Sequence, residues 1–178
     1  MRTKRLHRLV LAALFAALTC VATAAVQIEL PATRGYVNMG DSLVLVGAWL
    51  LGPLYGAAAA GIGSALADIL TSYVHYAPAT LLIKAGMAVL AICLCRKSSR
   101  RPTLRRISGA ILAELWMVAG YFGYACLILG KGLAAAASIP GNLLQGAFGI
   151  AVALPLFFAL KKAGIPPYDK GEAIHGGA

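Results

Sequence analysis

Long apolar runs are the feature that most restricts how this chain of 178 residues can fold. A helix needs about 20 mostly apolar residues to cross a hydrocarbon layer of about 30 Å, and several runs reach that length. Because lipid offers no partners to backbone N–H and C=O groups, such runs predict membrane-spanning helices. We predict six helices, the second of them short. They cover residues 9–28, 40–51, 54–73, 79–95, 107–129 and 142–160.

Composition supports the membrane assignment. Hydrophobic residues make up 60% of the chain and charged residues only 12%, which is more apolar than an ordinary soluble domain. The formal net charge of +10 could suggest nucleic acid, but the basic residues form short clusters between the apolar runs. With six spans, the clusters at 2–8, 96–106 and 161–170 all fall on one side, whereas Arg34 and Lys131 fall opposite. We therefore predict an all-α membrane protein, one bundle of six transmembrane helices with both termini cytoplasmic.

One domain accounts for most of the chain. Residues 1–163 are predicted to form a six-helix transmembrane substrate-binding domain, and residues 164–178 a polar, disordered tail. The first run could instead be a secretory signal, because Ala22-Thr23-Ala24 resembles a cleavage site. It is longer than the usual 7–15 apolar residues of such signals, which favours a retained helix.

Two other features have a simple structural interpretation. The four cysteines lie in or beside apolar runs without the cluster of ligands that a zinc site needs, so we predict no metal site and no cofactor. The basic loop at 96–106 could bind nucleic acid or anionic lipid, but a cytoplasmic determinant of topology is the better interpretation.

Four ionisable residues lie inside otherwise apolar sequence: Asp41, Asp68, Lys84 and Glu114. An ionisable side chain in a membrane helix normally faces a partner or a polar cavity, so these positions indicate a functional site. The helical rise of 1.5 Å per residue places most of the polar candidates in the outer half of the bundle, beneath a predicted loop at 29–38. Glu114, roughly 22 Å below the outer end, is predicted to lie too deep to reach them. The predicted substrate-binding residues are Tyr36, Asn38, Asp68, Tyr76, Lys84, Tyr121, Asn142 and Gln145.

Each candidate also has a purely structural interpretation. Asp68 and Lys84 could form a buried ion pair, and Asp41 could be a charge favoured by a helix N-terminus. Asn142 could cap the sixth helix. The tyrosines could belong to an interfacial belt.

Small residues recur at helical spacing in two of the predicted helices. In the third, Gly56, Ala60 and Ser64 form a stripe that continues to Asp68 and predicts a tightly packed face. In the first helix, overlapping Ala-x-x-x-Ala pairs have a spacing that lets helix backbones approach closely. The pairs consist of Ala12, Ala13, Ala16 and Ala17. Packing within the bundle and docking of a partner both remain open from spacing alone.

Several sequence blocks together resemble a known family. The likeness runs from residue 9 to 162, and its blocks lie at 36–41, 51–56, 61–68, 76–86 and 138–146. They resemble the S component of an energy-coupling factor (ECF) vitamin transporter. The subgroup most similar is the riboflavin type, with hydroxymethylpyrimidine and pyridoxine carriers close by.

The resemblance implies a substrate-specific subunit of an ECF-type ABC importer in the plasma membrane of a prokaryote. Such a subunit binds a water-soluble vitamin or precursor from outside and docks on a transmembrane coupling subunit that carries two cytoplasmic ATPase subunits. The positions implied for docking are Ala12, Ala13, Ala16 and Ala17. The sequence has no Gly-x-x-x-x-Gly-Lys-Ser/Thr phosphate loop, so ATP would be hydrolysed by another chain.

Single features of the sequence also suggest functions from two other classes. An intramembrane enzyme could use Ser64 and His75, but eleven residues of helix would separate them by about 16 Å, beyond hydrogen-bond reach. A solitary proton-coupled carrier could use Asp68 or Glu114. We predict no enzyme activity and no nucleic-acid partner.

Overall fold

Helices make up almost all of the structure, which is a computed structural model. It describes residues 2–25, 27–30, 35–93 and 102–168. The side chains of residues 2–4, 28–30 and 35–37 are not described. In chain order the elements are α1 (Arg2–Ala25), β1 (Gln27–Leu30), β2 (Gly35–Asn38), α2 (Gly40–Leu70), α3 (Ala77–Cys93), α4 (Pro102–Gly123), a π-helical turn (Tyr124–Ile128), a 3₁₀-helix (Gly132–Ser138) and α5 (Ile139–Lys162).

A β-hairpin follows α1 where the sequence predicted a loop at 29–38. Strands β1 and β2 pair antiparallel, with Gln27 opposite Asn38 and Glu29 opposite Tyr36. The loop prediction was wrong for the strand residues, because pairing gives the backbone groups between two helices their partners and β-branched and aromatic residues favour strands.

The long helix α2 is divided at Gly52, whose φ of 82° is not helical and which is followed by Pro53. A Cβ added to Gly56 would lie 2.8 Å from Ala48 Cα, whereas residues eight apart in a straight helix lie about 12 Å apart. The chain therefore reverses at Gly52. The first arm of α2 (40–51) and the second arm (53–70) lie against each other, as the predicted break at 52–53 requires.

Glycines allow the second arm of α2 to pack closely on both neighbouring helices. A Cβ at Gly61 would lie 2.6 Å from the carbonyl oxygen of Leu81 in α3. A Cβ at Gly63 would overlap the carbonyl oxygen of Ala16 in α1. Gly61 and Gly63, which were not part of the predicted stripe, thus allow α1, α2 and α3 to pack closely.

The C-terminal half differs from prediction at its helix ends. The fourth helix starts at Pro102 and the segment before α5 is a 3₁₀-helix, where a loop was predicted. Helix α5 starts at Ile139 with Ser138 at its N-cap position. Asn142 therefore lies inside the helix and does not take the alternative role of an N-cap.

Four helical segments in the described part of the chain are long and apolar enough to cross a membrane: Arg5–Ala25, Gly40–Leu70, Pro102–Ile128 and Gly132–Lys162. Helix α3, with 17 residues, is shorter and also apolar. Large apolar side chains such as Leu14, Leu82 and Ile111 point outward from the bundle. An apolar exterior around a buried polar interior is the arrangement expected of a protein in lipid.

Residues that follow α5 fold back onto the bundle. The Tyr168 N–H donates to the Trp49 carbonyl at 2.9 Å, and the Tyr168 ring lies against Gly52. Trp49 packs edge-on against Phe157 with ring centroids 5.3 Å apart. Within the predicted tail at 164–178, Tyr168 thus contacts the bundle, and residues 169–178 lie outside the described part of the chain.

Candidate functional site

A buried ion pair forms the centre of the polar interior. Lys84 of α3 donates to Asp41 Oδ1, and Gln145 of α5 donates to Asp41 Oδ2 at 2.7 Å. Asp41 is completely buried and Lys84 almost so. Three helices therefore meet at one carboxylate. Lys84 thus pairs with Asp41 and not with Asp68, the alternative left open by the sequence, because the N-terminal end of α2 lies inside the bundle and presents Asp41 to Lys84.

Asn38 extends this network to the hairpin. Its side-chain amide donates to Gln145 Oε1 at 3.2 Å, and its Oδ1 accepts from the Gly40 N–H at 2.8 Å. The last residue of β2 is thereby tied both to the start of α2 and to α5. Asn38, Gln145, Asp41 and Lys84 form a continuous chain of hydrogen bonds, which we call the central network.

A second group of polar side chains adjoins it through Tyr121. The Tyr121 hydroxyl donates to Thr80 Oγ1 at 3.0 Å, and Thr80 is also hydrogen-bonded to Asp68. Lys84 Nζ lies 5.6 Å from the centre of the Tyr121 ring. Asp68 thus belongs to the same polar interior, although Thr80 is its hydrogen-bond partner.

Glu114 of α4 also reaches the central network, contrary to prediction. A Cβ placed on Gly149 would lie 2.9 Å from Asp41 Cβ and 3.1 Å from Glu114 Oε1, so the two acidic side chains flank one glycine of α5. Glu114 also interacts electrostatically with Asp41 and Lys84. The depth estimate failed because it placed Asp41 at the outer surface, whereas Asp41 is completely buried inside the bundle.

Aromatic residues form a cluster next to this interior. The Tyr76 ring lies 4.9 Å from His75, 5.7 Å from Tyr124 and 6.4 Å from Tyr121, measured between centroids. Lys131 donates to the Tyr76 hydroxyl at 3.3 Å. Tyr76, Tyr121 and Tyr124 therefore form an aromatic wall that runs from the loop after α2 to the buried lysine.

Most of the predicted site residues meet in this interior. Asn38, Lys84 and Gln145 share the central network, while Asp68, Tyr76 and Tyr121 adjoin it. Asn142 is half-buried one turn before Gln145. The side chain of Tyr36 lies outside the described part of the structure.

Three residues of this polar interior were missing from the predicted set: Asp41, Thr80 and Glu114. Asp41 and Glu114 were both recognisable as ionisable residues in apolar sequence. The estimated depth of Glu114 excluded it from the predicted site, and a charge at a helix N-terminus was a sufficient explanation for Asp41. Thr80 had a weaker signal, since it lies four residues before Lys84 and hence on the same face of α3.

The alanine pairs of α1 divide into two faces. Ala12 is buried among Leu51 and Ala59, and the Ala16 carbonyl lies against Gly63. Ala13 and Ala17 are exposed on the outside of the bundle. Packing within the bundle explains the first pair, and the second pair is open to a partner.

Comparisons with known proteins give a matching family, a relative and a solved structure with the same fold. The profile of the family described as "ECF-type riboflavin transporter, S component" matches residues 3–162. A protein of Pyrococcus woesei described as "Uncharacterized protein in gap 3'region" is 36% identical over 142 residues, covering 80% of this chain and 93% of that protein. A solved structure of the S component of a bacterial ECF transporter has the same fold, with a TM-score of 0.73 and 21% identity, covering 93% of this chain and all of the other.

The chain belongs to the ECF-type riboflavin transporter S component family. It is a membrane protein and a vitamin-binding subunit of a transporter, a class that is not enzymatic. Ser64 and His75, the two residues that an intramembrane enzyme could use, lie in different environments. Ser64 is buried on a packed helix face, whereas His75 is exposed in the aromatic cluster.

Proposed function

We propose that this protein is the substrate-specific subunit of an ECF-type ABC importer, which binds a water-soluble vitamin or precursor of the riboflavin, hydroxymethylpyrimidine or pyridoxine class at the outer face. Delivery inward would depend on a separate ATP-hydrolysing module. The observation that carries the proposal is the central network, four buried polar residues beside an aromatic wall within an apolar bundle. A small polar heteroaromatic ligand needs this combination of a few placed donors and acceptors with a stacking surface.

The proposed binding residues have distinct roles. Lys84 and Gln145 would exchange hydrogen bonds with Asp41 for bonds to the ligand, and Asn38 would couple the ligand to the hairpin. Tyr76 and Tyr121 would stack on the ligand rings. The remaining proposed residues are Tyr36, Asp68 and Asn142.

Co-purification tests this function directly. The detergent-extracted protein should carry one small molecule, identifiable by mass spectrometry after denaturation, and the same compound should bind in isothermal titration calorimetry. Lys84→Met should abolish both signals, while Lys161→Met, at the exposed end of α5, should leave both unchanged. Absence of any vitamin-like compound from the wild-type protein and from every titration would contradict the proposal.

We further propose that the two arms of α2 count as separate spans, so that six helical segments place both termini in the cytoplasm. The reversal at Gly52 supports this count. In a cysteine-free background, an impermeant thiol reagent applied to intact cells should label a cysteine at Ala32 and not one at Ser99. Labelling of position 99 from outside would exclude this topology. The host membrane would be the plasma membrane of a prokaryote.

Partner docking is assigned to the outer face of α1. Of the alanines considered, Ala13 and Ala17 are exposed at i, i+4 spacing and would admit close approach of a helix from a coupling subunit. Ala13→Trp should abolish uptake in cells that supply the coupling subunit and two ATPases, while vitamin binding by the isolated chain persists. Joint loss of binding and uptake would instead indicate a role inside the bundle.

A solitary proton-coupled carrier is the second candidate, favoured by the buried carboxylate of Glu114. Purified protein in liposomes separates the two functions. Accumulation of vitamin driven by a proton gradient alone would support the carrier, whereas the importer requires the ATPase module.

A further inference from the structure

Glu114 is a buried carboxylate without hydrogen-bond partners in the described part of the chain. Only 5% of its surface is exposed, and neither Oε1 nor Oε2 has a donor. Burial of an ionised carboxylate without donors costs several kcal/mol, so such a group either binds a proton or serves a partner that arrives later. A packing role does not explain its presence, since an apolar side chain of similar size would fill the same volume without this cost.

Two glycines of the neighbouring helix α5 let its backbone pack against both carboxylate oxygens, which are buried without a hydrogen-bond donor. A Cβ at Gly146 would lie 3.0 Å from Glu114 Oε2, and a Cβ at Gly149 would lie 3.1 Å from Oε1. Each oxygen therefore faces a glycine. Any larger residue at either position would press on the carboxylate.

The buried charges around Glu114 also favour a positively charged hydrogen-bond donor as its partner. Among the described residues, the buried acids are Asp41, Asp68 and Glu114, and the buried bases are Lys84 and Arg106. Lys84 is already paired with Asp41. Arg106 lies about 12 Å away along α4, two turns from Glu114, and stacks over Phe157 with 4.4 Å between its guanidinium carbon and the ring centre. When Glu114 is ionised, the side of the site formed by Glu114 and Asp41 therefore has one acidic group more than it has basic groups to balance it.

Building on the proposed function, we propose that Glu114 recognises a ligand that presents two adjacent N–H donors, as the edge of a protonated, amino-substituted nitrogen heterocycle does. A carboxylate with two free oxygens accepts such a pair side by side, in the same geometry in which it accepts the fork of an arginine. The ligand's positive charge would balance the excess acid, and its ring would reach the aromatic wall at Tyr121. Riboflavin presents a single imide N–H between two carbonyl groups and does not match this edge.

Two ligands test the inference on the wild-type protein. Isothermal titration calorimetry of the full-length chain in detergent would compare 4-amino-5-hydroxymethyl-2-methylpyrimidine with the same compound lacking the 4-amino group. We expect the amino compound to bind at least tenfold more tightly, because a site built to hydrogen-bond an N–H group rejects the analogue without it. Equal affinities would overturn the inference without any mutation.

The variant Glu114→Gln tests the residue. Gln offers one acceptor and one donor group, so the affinity for the amino compound should fall at least tenfold and the preference over the analogue should disappear. Because the substitution removes an uncompensated buried charge, the ligand-free variant should melt at the same temperature as wild type or higher. A merely structural carboxylate would give a lower melting temperature with unchanged ligand preference.

The outcomes separate this inference from the proposed function. If wild-type protein binds riboflavin or pyridoxine tightly and Glu114→Gln binds it equally well, the vitamin-binding function stands and the role of Glu114 is refuted. If wild-type protein binds none of these compounds and carries none on purification, both are refuted.

Discussion

Lys84 and Asp41, 43 residues apart in the sequence, form an ion pair inside the bundle that joins α3 to the first turn of α2. Neither group is accessible to water, so each depends on the other for charge compensation. A substitution of Lys84 should therefore be compensated by a second substitution at Asp41. Such double variants can distinguish a role of Lys84 in stability from a role in ligand binding.

Removal of the lysine should destabilise the protein strongly. Lys84→Met leaves Asp41 buried with Gln145 as its remaining side-chain donor, and we expect a loss of about 3–5 kcal/mol in the free energy of unfolding. Asp41→Asn in the same chain should restore much of it, since the uncompensated charge is then gone. Asp68→Asn is the matched control and should restore less, as Asp68 is bonded to Thr80. Thermal unfolding in detergent without ligand would measure this, and equal rescue by both changes would contradict the assigned pair.

Gln145→Ala should affect both stability and binding. The glutamine donates to Asp41 and accepts from Asn38, so truncation leaves two buried polar groups short of a partner. We expect a loss of about 1–3 kcal/mol in stability, in addition to weaker vitamin binding. Asn142→Ala, one turn earlier and half-buried, should change the melting temperature much less. Unchanged stability of Gln145→Ala would show that the network is dispensable for folding.

The two alanine faces of α1 should respond differently to a bulky residue. Ala16 contacts the second arm of α2 at Gly63, so Ala16→Trp should overpack the bundle and lower its melting temperature. Ala13 points outward, so Ala13→Trp should leave the melting temperature close to that of wild type. The opposite order would mean that α1 is rotated relative to the described orientation.

Gly63→Ala and Gly123→Ala form a further matched pair. A Cβ at Gly63 overlaps the Ala16 carbonyl oxygen, whereas a Cβ at Gly123 meets nothing within 4 Å. The first substitution should push α1 away from α2 and cost roughly 1–3 kcal/mol. The second, at a helical position, should be neutral or stabilise by up to about 1 kcal/mol, because alanine loses less backbone entropy than glycine. Chemical or thermal unfolding of the two variants side by side checks both signs.

The sequence was sufficient to predict a helical membrane protein, because a run of apolar residues in lipid has few alternatives to a helix. It also marked the small-residue stripe that packs in α2. The sequence did not predict which side chains face one another across the bundle. The rise per residue gives the height of Asp68 and Lys84 but not their orientation, so it could not tell that Lys84 turns to Asp41.

The hairpin was the second source of error. With residues 29–38 treated as a loop, Asp41 seemed to lie at the outer surface and Glu114 far below it. Pairing of Gln27 with Asn38 brings the end of β2 into contact with Gln145, and the start of α2 is then covered. No local pattern in the sequence specifies that contact, because it depends on the packing of α5.

The contact of Tyr168 with the reversal at Gly52 has a consequence for protein engineering. The aromatic ring occupies the space beside a glycine with positive φ, and its backbone N–H bonds to Trp49 across the turn. A fluorescent protein or affinity tag fused directly after Lys162 would displace this segment and leave the turn between the two arms of α2 uncovered. Fusion beyond Tyr168 would keep it in place, so the position of the junction decides whether a tagged protein reports on the native bundle.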